Sequence, residues 1–358
     1  QAKTLFPYTT LFRSSPCTRS SCCSRERNHC WIGRLNRPMS NDISKSALRA
    51  VFTETNSLPG VLSRRQRVMG GHGTISLVGG NPELLDECWA LADTCEQLWS
   101  RFIPDSDISR INWSEGQPVR IAPLTRQLIA AMISGHTLTE GGYDPTLLPD
   151  VINAGYSTSA VDPTRSTALP ASASAPGHLE GIRFSDDHVI VPTGTTLDPG
   201  GIAKGFTADL VSQFALDKGA YGVMAEIGGD IVVLGDAPDG VAWRLGVEDP
   251  FTPEAHASVV RLQRGAVATS SQLKRRFGDG DTSTHHLINP VTHSSASTEA
   301  QTVTVIAASG SRAEVLTKRG FVDKPEEFLA WLPSVGGAGL IIFADGSQQV
   351  SANWSNYA

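Results

Sequence analysis

The sequence predicts an α+β fold, a mixed sheet flanked by helices. Three observations carry that expectation. Most apolar runs are short and strand-like, with turn residues between them. A few longer stretches instead place apolar residues on one helical face. The two kinds do not alternate strictly, as a parallel βαβ sheet would require. An apolar content of 40% over 358 residues is enough to build a real core.

Residues 1–38 look foreign to the rest. They lack steady periodicity and hold Cys17, Cys22, Cys23 and Cys30, with no CxxC pair to suggest a zinc site. The stretch "TLFPYTTLFRS" resembles translated adapter DNA, so 1–38 is expected to be non-native or disordered, with Met39 as a start. Residues 39–66 are polar and expected to form a flexible lead to a domain spanning 67–350.

"RVMGGHGTISLVG" (67–79) reads as a strand with a glycine-rich entry. In "NPELLDECWALADTCEQLWSRF" (81–102), Asn81 can cap a helix and Pro82 suits its first turn. Cys88 and Cys95 belong to its apolar stripe and read as buried residues. A second helix is expected over 124–142, ending in glycines. The Ser/Ala/Pro-rich stretch 157–178 reads as a disordered-looking loop inside the domain. "HVIVP" (188–192) is a short strand, and "YGVMAEIGGDIVVLG" (221–235) is a strand pair with a glycine turn. Strand-like runs continue through "AQTVTVIAAS", followed by a third helix over 312–322. A closing hairpin turns at Asp345-Gly346.

Composition excludes some functions. A formal net charge of −6, with no Lys/Arg stripe, argues against a nucleic-acid partner. No apolar run approaches the ~20 residues that span a bilayer. No signal-peptide pattern or lipobox cysteine appears, so the default expectation is cytoplasmic. A missing true N-terminus would instead allow an extracytoplasmic, membrane-associated protein.

The chemistry-bearing stretch is "LDPGGIAKGFTADLV" (197–211). Asp198, Gly200, Gly201 and Lys204 precede a helical pattern. Unpaired amides at a helix start, with the helix dipole, favour an anion, and glycines let a phosphate approach. A plain packing turn is the competing reading. The spacing matches neither a Walker A loop nor a dinucleotide fingerprint. "EIGGD" (226–230) brings Gly228 and Gly229 beside carboxylates, and "VATSS" offers Ser270 as a hydroxyl donor. "HHLINP" (285–290) supplies two imidazoles suited to proton transfer near neutral pH, or merely a decorated loop. Glu314 and Lys318 stand at i,i+4 with Thr317 between them. They form either a surface ion pair or part of a face toward a hard cation.

Taken together the motifs resemble the ApbE family of flavin transferases, which move FMN from FAD onto a protein. The residues carrying the resemblance are Met69-Gly70, "PDSDISRIN" (104–112), "YDPT" (143–146), "LDPGGIAKG", "IGGD", "VATSS" and "HLINP". It runs from about 67 to 345 and implies an ApbE-like, T-fold-related architecture. It also implies flavin-dinucleotide contacts from Met69, Phe102, Gly142, Tyr143, Asp144, Asp198, Lys204 and Leu287. Gly201 matches a carbonyl that binds magnesium, and His286 matches a histidine implicated in chemistry. The resemblance further implies FAD as substrate, Mg2+ as cofactor and a flavoprotein acceptor with an exposed Ser or Thr, often membrane-linked. Hydrolysis of FAD to FMN and AMP, or FAD binding without catalysis, are the alternatives.

The chain departs from the family pattern at several positions. Asn289, His293 and Ser271 replace the usual Asp, Gly and Gly. At the magnesium helix, "AEVLTK" puts Glu314 for Asp, Thr317 at a carbonyl ligand position and Lys318 at the ligand Thr position. An ammonium has donors only and cannot ligate a metal. Lys318 is therefore expected to supply part of the charge that magnesium supplies elsewhere.

Overall fold

A computed structural model describes residues 59–252, 254–273, 276–277 and 284–358. The expectations for 1–38, the four cysteines there and Met39 lie outside the described residues. Eight strands form one sheet: β1 (Val61–Val68), β2 (Gly71–Val78), β3 (Gly222–Ile227), β4 (Asp230–Gly235), β5 (Gly265–Ser271), β6 (Ala300–Ala307), β7 (Ala338–Phe343) and β8 (Gln348–Val350). They lie in the sheet in chain order. The α+β class holds, and within it every neighbouring pair is antiparallel rather than mixed.

Among the described residues, seven α-helices accompany the sheet: α1 (Pro82–Trp99), α2 (Asp107–Asn112), α3 (Pro123–Leu138), α4 (Leu148–Asn153), α5 (Ala203–Asp217), α6 (Gly310–Arg319) and α7 (Pro325–Trp331). The strands follow the period of two. Val223, Ala225 and Ile227 of β3 join the buried cluster under α1, α5 and α6. Val233, Val267, Ile306 and Leu340 point to the other face. There they meet a two-stranded ribbon of Trp243–Glu248 and His256–Leu262, with Trp354. A third cluster, around Trp99, Ile108, Leu128 and Phe206, ties α1, α2, α3 and α5 to the small sheet of Val119–Arg120, Arg183–Phe184 and His188–Ile190.

Several elements differ from expectation. Residues 61–66, expected in a flexible lead, are part of β1. Its alternating exposed and half-buried pattern with three arginines hid it, because an edge strand needs few apolar residues. The 157–178 stretch is irregular but anchored. Thr158 bridges Ser166, Arg101 donates to Thr167 Oγ1 at 2.7 Å, and Gly177 N donates to Thr146 Oγ1 at 2.8 Å. Helices α2, α4 and α7 were not expected, each being seven residues or fewer, too short to show a stripe. The third expected helix starts at Gly310, capped by Ser309. As expected, Asn81 caps α1, its side chain accepting from Leu84 N.

Candidate active site

Two tight turns and one crossing of helices build the site. Gly228 and Gly229 join β3 to β4 with φ of 61° and 95°, both left-handed, as a two-residue hairpin needs. The Lys204 stem lies against Gly228, where a Cβ would come 2.9 Å from Lys204 Cδ. Residues Pro199–Gly201 form a short 3-10 turn leading into α5. At the crossing of α5 and α6, a Cβ on Gly205 would meet Gly310 O at 2.3 Å. These glycines bring Glu314 of α6 against the start of α5.

A cleft opens beside this crossing. Its wall includes Gly142, Tyr143, Asp144, Asp198, Gly200, Gly201, His286 and Leu287, eight of the residues expected from sequence, together with Lys318. The motifs explain how they are held. Asn112, closing "PDSDISRIN", clamps Leu197 in both directions: its amide donates to Leu197 O at 3.0 Å, and Leu197 N donates to its Oδ1 at 2.7 Å. Asp198 follows directly, its N donating to Pro145 O at 2.8 Å and its Oδ1 accepting from Gly200 N at 3.0 Å. In "YDPT", Asp144 Oδ1 accepts from Thr146 N at 2.8 Å and from its hydroxyl at 2.6 Å.

The histidines divide their roles. His285 is buried, donating from Nε2 to Ala296 O at 3.1 Å while Nδ1 accepts from Leu287 N at 3.3 Å. This pattern assigns the Nε2–H tautomer, and burial pushes the ring's pKa down. His285 thus stitches the loop, and the half-buried His286 stands in the cleft wall.

Lys204 behaves differently from expectation. Its ammonium contacts Asp230, and donates to Glu314 Oε1 at 2.7 Å. Burial opposes its charge, but Asp230 and Glu314 hold its pKa above the ordinary lysine value. Its charge therefore balances two buried carboxylates and is not the charge in the cleft wall. Lys318 is in that wall. Its Nζ donates to Ser270 Oγ at 2.8 Å, Thr317 Oγ1 at 3.2 Å and Glu314 O at 3.2 Å. The turn's amides are also partly used within the chain: Gly200 N by Asp198, Ile202 N by Pro199 O and Gly205 N by Glu314 Oε2.

Other expected contacts lie further out. Met69, at φ 49° in the β1–β2 turn, donates its N to Glu96 Oε2 at 2.8 Å, and its sulfur accepts from Thr207 at 3.6 Å. Phe102 packs on Tyr156 with ring centroids 5.8 Å apart, and Tyr156 lines the cleft. Ser270 bonds Thr317 behind Lys318 at 2.7 Å. The sequence reading missed Asp230, although the last letter of "IGGD" pointed to it. It also missed Arg101, whose guanidinium stacks 4.2 Å from the Phe102 centroid and 4.7 Å from Tyr156 and reaches Asp198 Oδ1 at 3.7 Å. Nothing local in the sequence distinguishes that arginine.

The residues expected to hold magnesium do not fit it. Both Glu314 oxygens already accept, from Lys204 and from Gly205 N. The ammonium of Lys318 bonds Thr317, and its Cε lies 3.4 Å from where a Gly201 Cβ would stand. An ammonium in that place repels a divalent ion and offers it no lone pair. Among the described residues no group of three or more His, Cys, Asp or Glu is arranged for a metal.

Comparisons with known proteins bear on the family and the fold. The model of the ApbE family matches residues 69–341. The chain is 31% identical over 291 residues to the FAD:protein FMN transferase of Treponema pallidum, covering 75% of this chain and 79% of that protein. It is 29% identical over 249 residues to the FAD:protein FMN transferase of Vibrio cholerae, covering 67% and 73%. Among solved structures, the ApbE protein of Thermotoga maritima superposes with a TM-score of 0.73 at 25% identity, over 83% of this chain and 99% of that one. The apo flavinyl transferase ApbE of Pseudomonas stutzeri shares the fold, with a TM-score of 0.70 at 24% identity, over 84% and 97%.

Proposed function

Because the chain belongs to the ApbE family, we propose that its cleft carries out that family's reaction, with FAD as substrate and a flavoprotein as acceptor. The protein is a transferase: it cleaves FAD, attaches FMN to the acceptor and releases AMP. One observation carries the assignment to this cleft. "YDPT", "LDPGG" and "HLINP" lie far apart in sequence, and residues from all three line one cavity.

The chemistry follows from the residues. A Ser or Thr hydroxyl of the acceptor attacks the FMN phosphorus, forming a new P–O bond. The P–O bond to the bridging oxygen breaks, and AMP leaves with that oxygen. The hydroxyl's proton has to be taken up, because a neutral hydroxyl is a weak nucleophile. His286, in the cleft wall, is the base assigned here. Asp198 and the Gly200-Gly201 turn bind the dinucleotide. Asp144 and the buried Tyr143, whose hydroxyl has no hydrogen-bond partner among the described residues, form a polar wall for it. Arg101 positions Asp198. An acceptor presenting its hydroxyl on an exposed segment suits a cleft open to solvent. No described helix is long and apolar enough to cross a membrane.

Incubation with FAD and a flavoprotein domain bearing an exposed threonine tests the proposal. AMP by chromatography, with flavin fluorescence on the acceptor in a denaturing gel, is the expected result. Unchanged FAD would contradict it, and AMP with only free FMN would show a hydrolase.

A further inference from the structure

We propose that Lys318 is a cation built into the chain, which takes up the diphosphate charge of FAD so that turnover needs no bound divalent metal. This rests on the transferase reading above. Four charged side chains meet at the crossing of α5 and α6. Lys204 bonds Asp230 and Glu314 directly. Lys318 adds a second ammonium, its Nζ donating to the main-chain carbonyl of Glu314 at 3.2 Å. Two carboxylates and two ammoniums sum to zero. Replacing Lys318 by a neutral side chain leaves the cluster at −1, which would welcome a cation.

Position supports the same conclusion. Lys318 lies in the last turn of α6, in the cleft wall with Asp198, Gly200 and Gly201. Its Nζ donates to the Ser270 and Thr317 hydroxyls and to the Glu314 carbonyl. These oxygens fix the direction in which the ammonium points. That is the preorganisation which stabilises charge developing on a transferring phosphoryl group. The stem passes over Gly201, where a side chain would crowd Lys318 Cε at 3.4 Å and Tyr143 Cε2 at 2.8 Å. The carboxylate that would have to ligate a metal is held by Lys204 and Gly205.

The test compares wild type with Lys318→Thr. AMP release from FAD is followed in excess EDTA and in millimolar Mg2+, and Mg2+ is titrated calorimetrically into wild-type protein holding FAD. Wild type is expected to release AMP in EDTA at an undiminished rate and to show no stoichiometric Mg2+ binding. Lys318→Thr is expected to lose about a hundredfold in EDTA, the scale for removing one preorganised donor, and to recover with Mg2+. That recovery separates lost charge from lost fold. Wild-type turnover abolished by EDTA, one Mg2+ bound per chain, or an unaffected Lys318→Thr protein in EDTA would each overturn the inference and leave the transferase reading standing. A protein that neither binds nor cleaves FAD in either condition would overturn both.

Discussion

At the scale of single residues, the two lysines hold different places in the site. The sequence placed Lys204 beside the glycine turn and so suggested an anion-facing charge. In the structure its ammonium is bound by Asp230 and Glu314, and Lys318 is the lysine that lines the cleft. Linear spacing could not show this, because Lys204 and Glu314 are 110 residues apart. A further carboxylate, that of the half-buried Asp209, has a measurable consequence. Asp209 accepts from Gly310 N at 2.6 Å and Ser311 N at 2.9 Å, capping the start of α6. Burial raises its pKa to about 6, against the lowering effect of those hydrogen bonds. The native state then holds a proton between about pH 4 and 6 that the unfolded chain has released. Stability from this group is complete below that window and lost as pH rises through it. The stability difference between wild type and Asp209→Asn, from urea melts, is therefore expected to shift toward the variant from pH 4 to 6 and level off above. A shift in the opposite direction would show a depressed carboxylate instead.

At the scale of elements, the site depends on how closely α5 and α6 cross. Gly205 and Gly310 meet backbone to backbone, and a Cβ on either would fall within 2.4 Å of the other's carbonyl oxygen. Gly205→Ala is expected to cost about 3 kcal/mol, the upper range for overpacking, and to lower the thermal midpoint by several degrees. An unchanged midpoint would mean that the crossing relaxes easily. Long elements were legible in the sequence. The Asn81 cap and the apolar stripe from Leu84 to Trp99 marked α1, and the Gly-Gly pair marked the β3–β4 hairpin. Short elements were not: α2 has six residues, and its role appears only when Asn112 is seen gripping Leu197, 85 positions away. β1 escaped for another reason, because its arginines mimic a solvated linker.

At the scale of the whole molecule, one antiparallel sheet in chain order is covered by helices on one face and a ribbon on the other. The long excursion between β2 and β3 supplies α1 to α5 and most of the cleft wall, while α5, β4 and α6 together supply the charged cluster beside it. Of the residues the motifs singled out, Tyr143, Asp198 and His286 line the cleft, while Met69, Phe102 and Lys204 do not. The motifs could not foretell the charge balance, which depends on side chains meeting across the fold. The central claim is that this cleft binds FAD against the Gly200-Gly201 turn. Its most direct test is calorimetric titration of FAD into wild type and Gly201→Ala, with both proteins confirmed as folded. The account requires one FAD per wild-type chain and affinity weakened about tenfold or more, at least ~1.4 kcal/mol, in the variant. Equal affinity in the two proteins, or no binding to wild type, would contradict it.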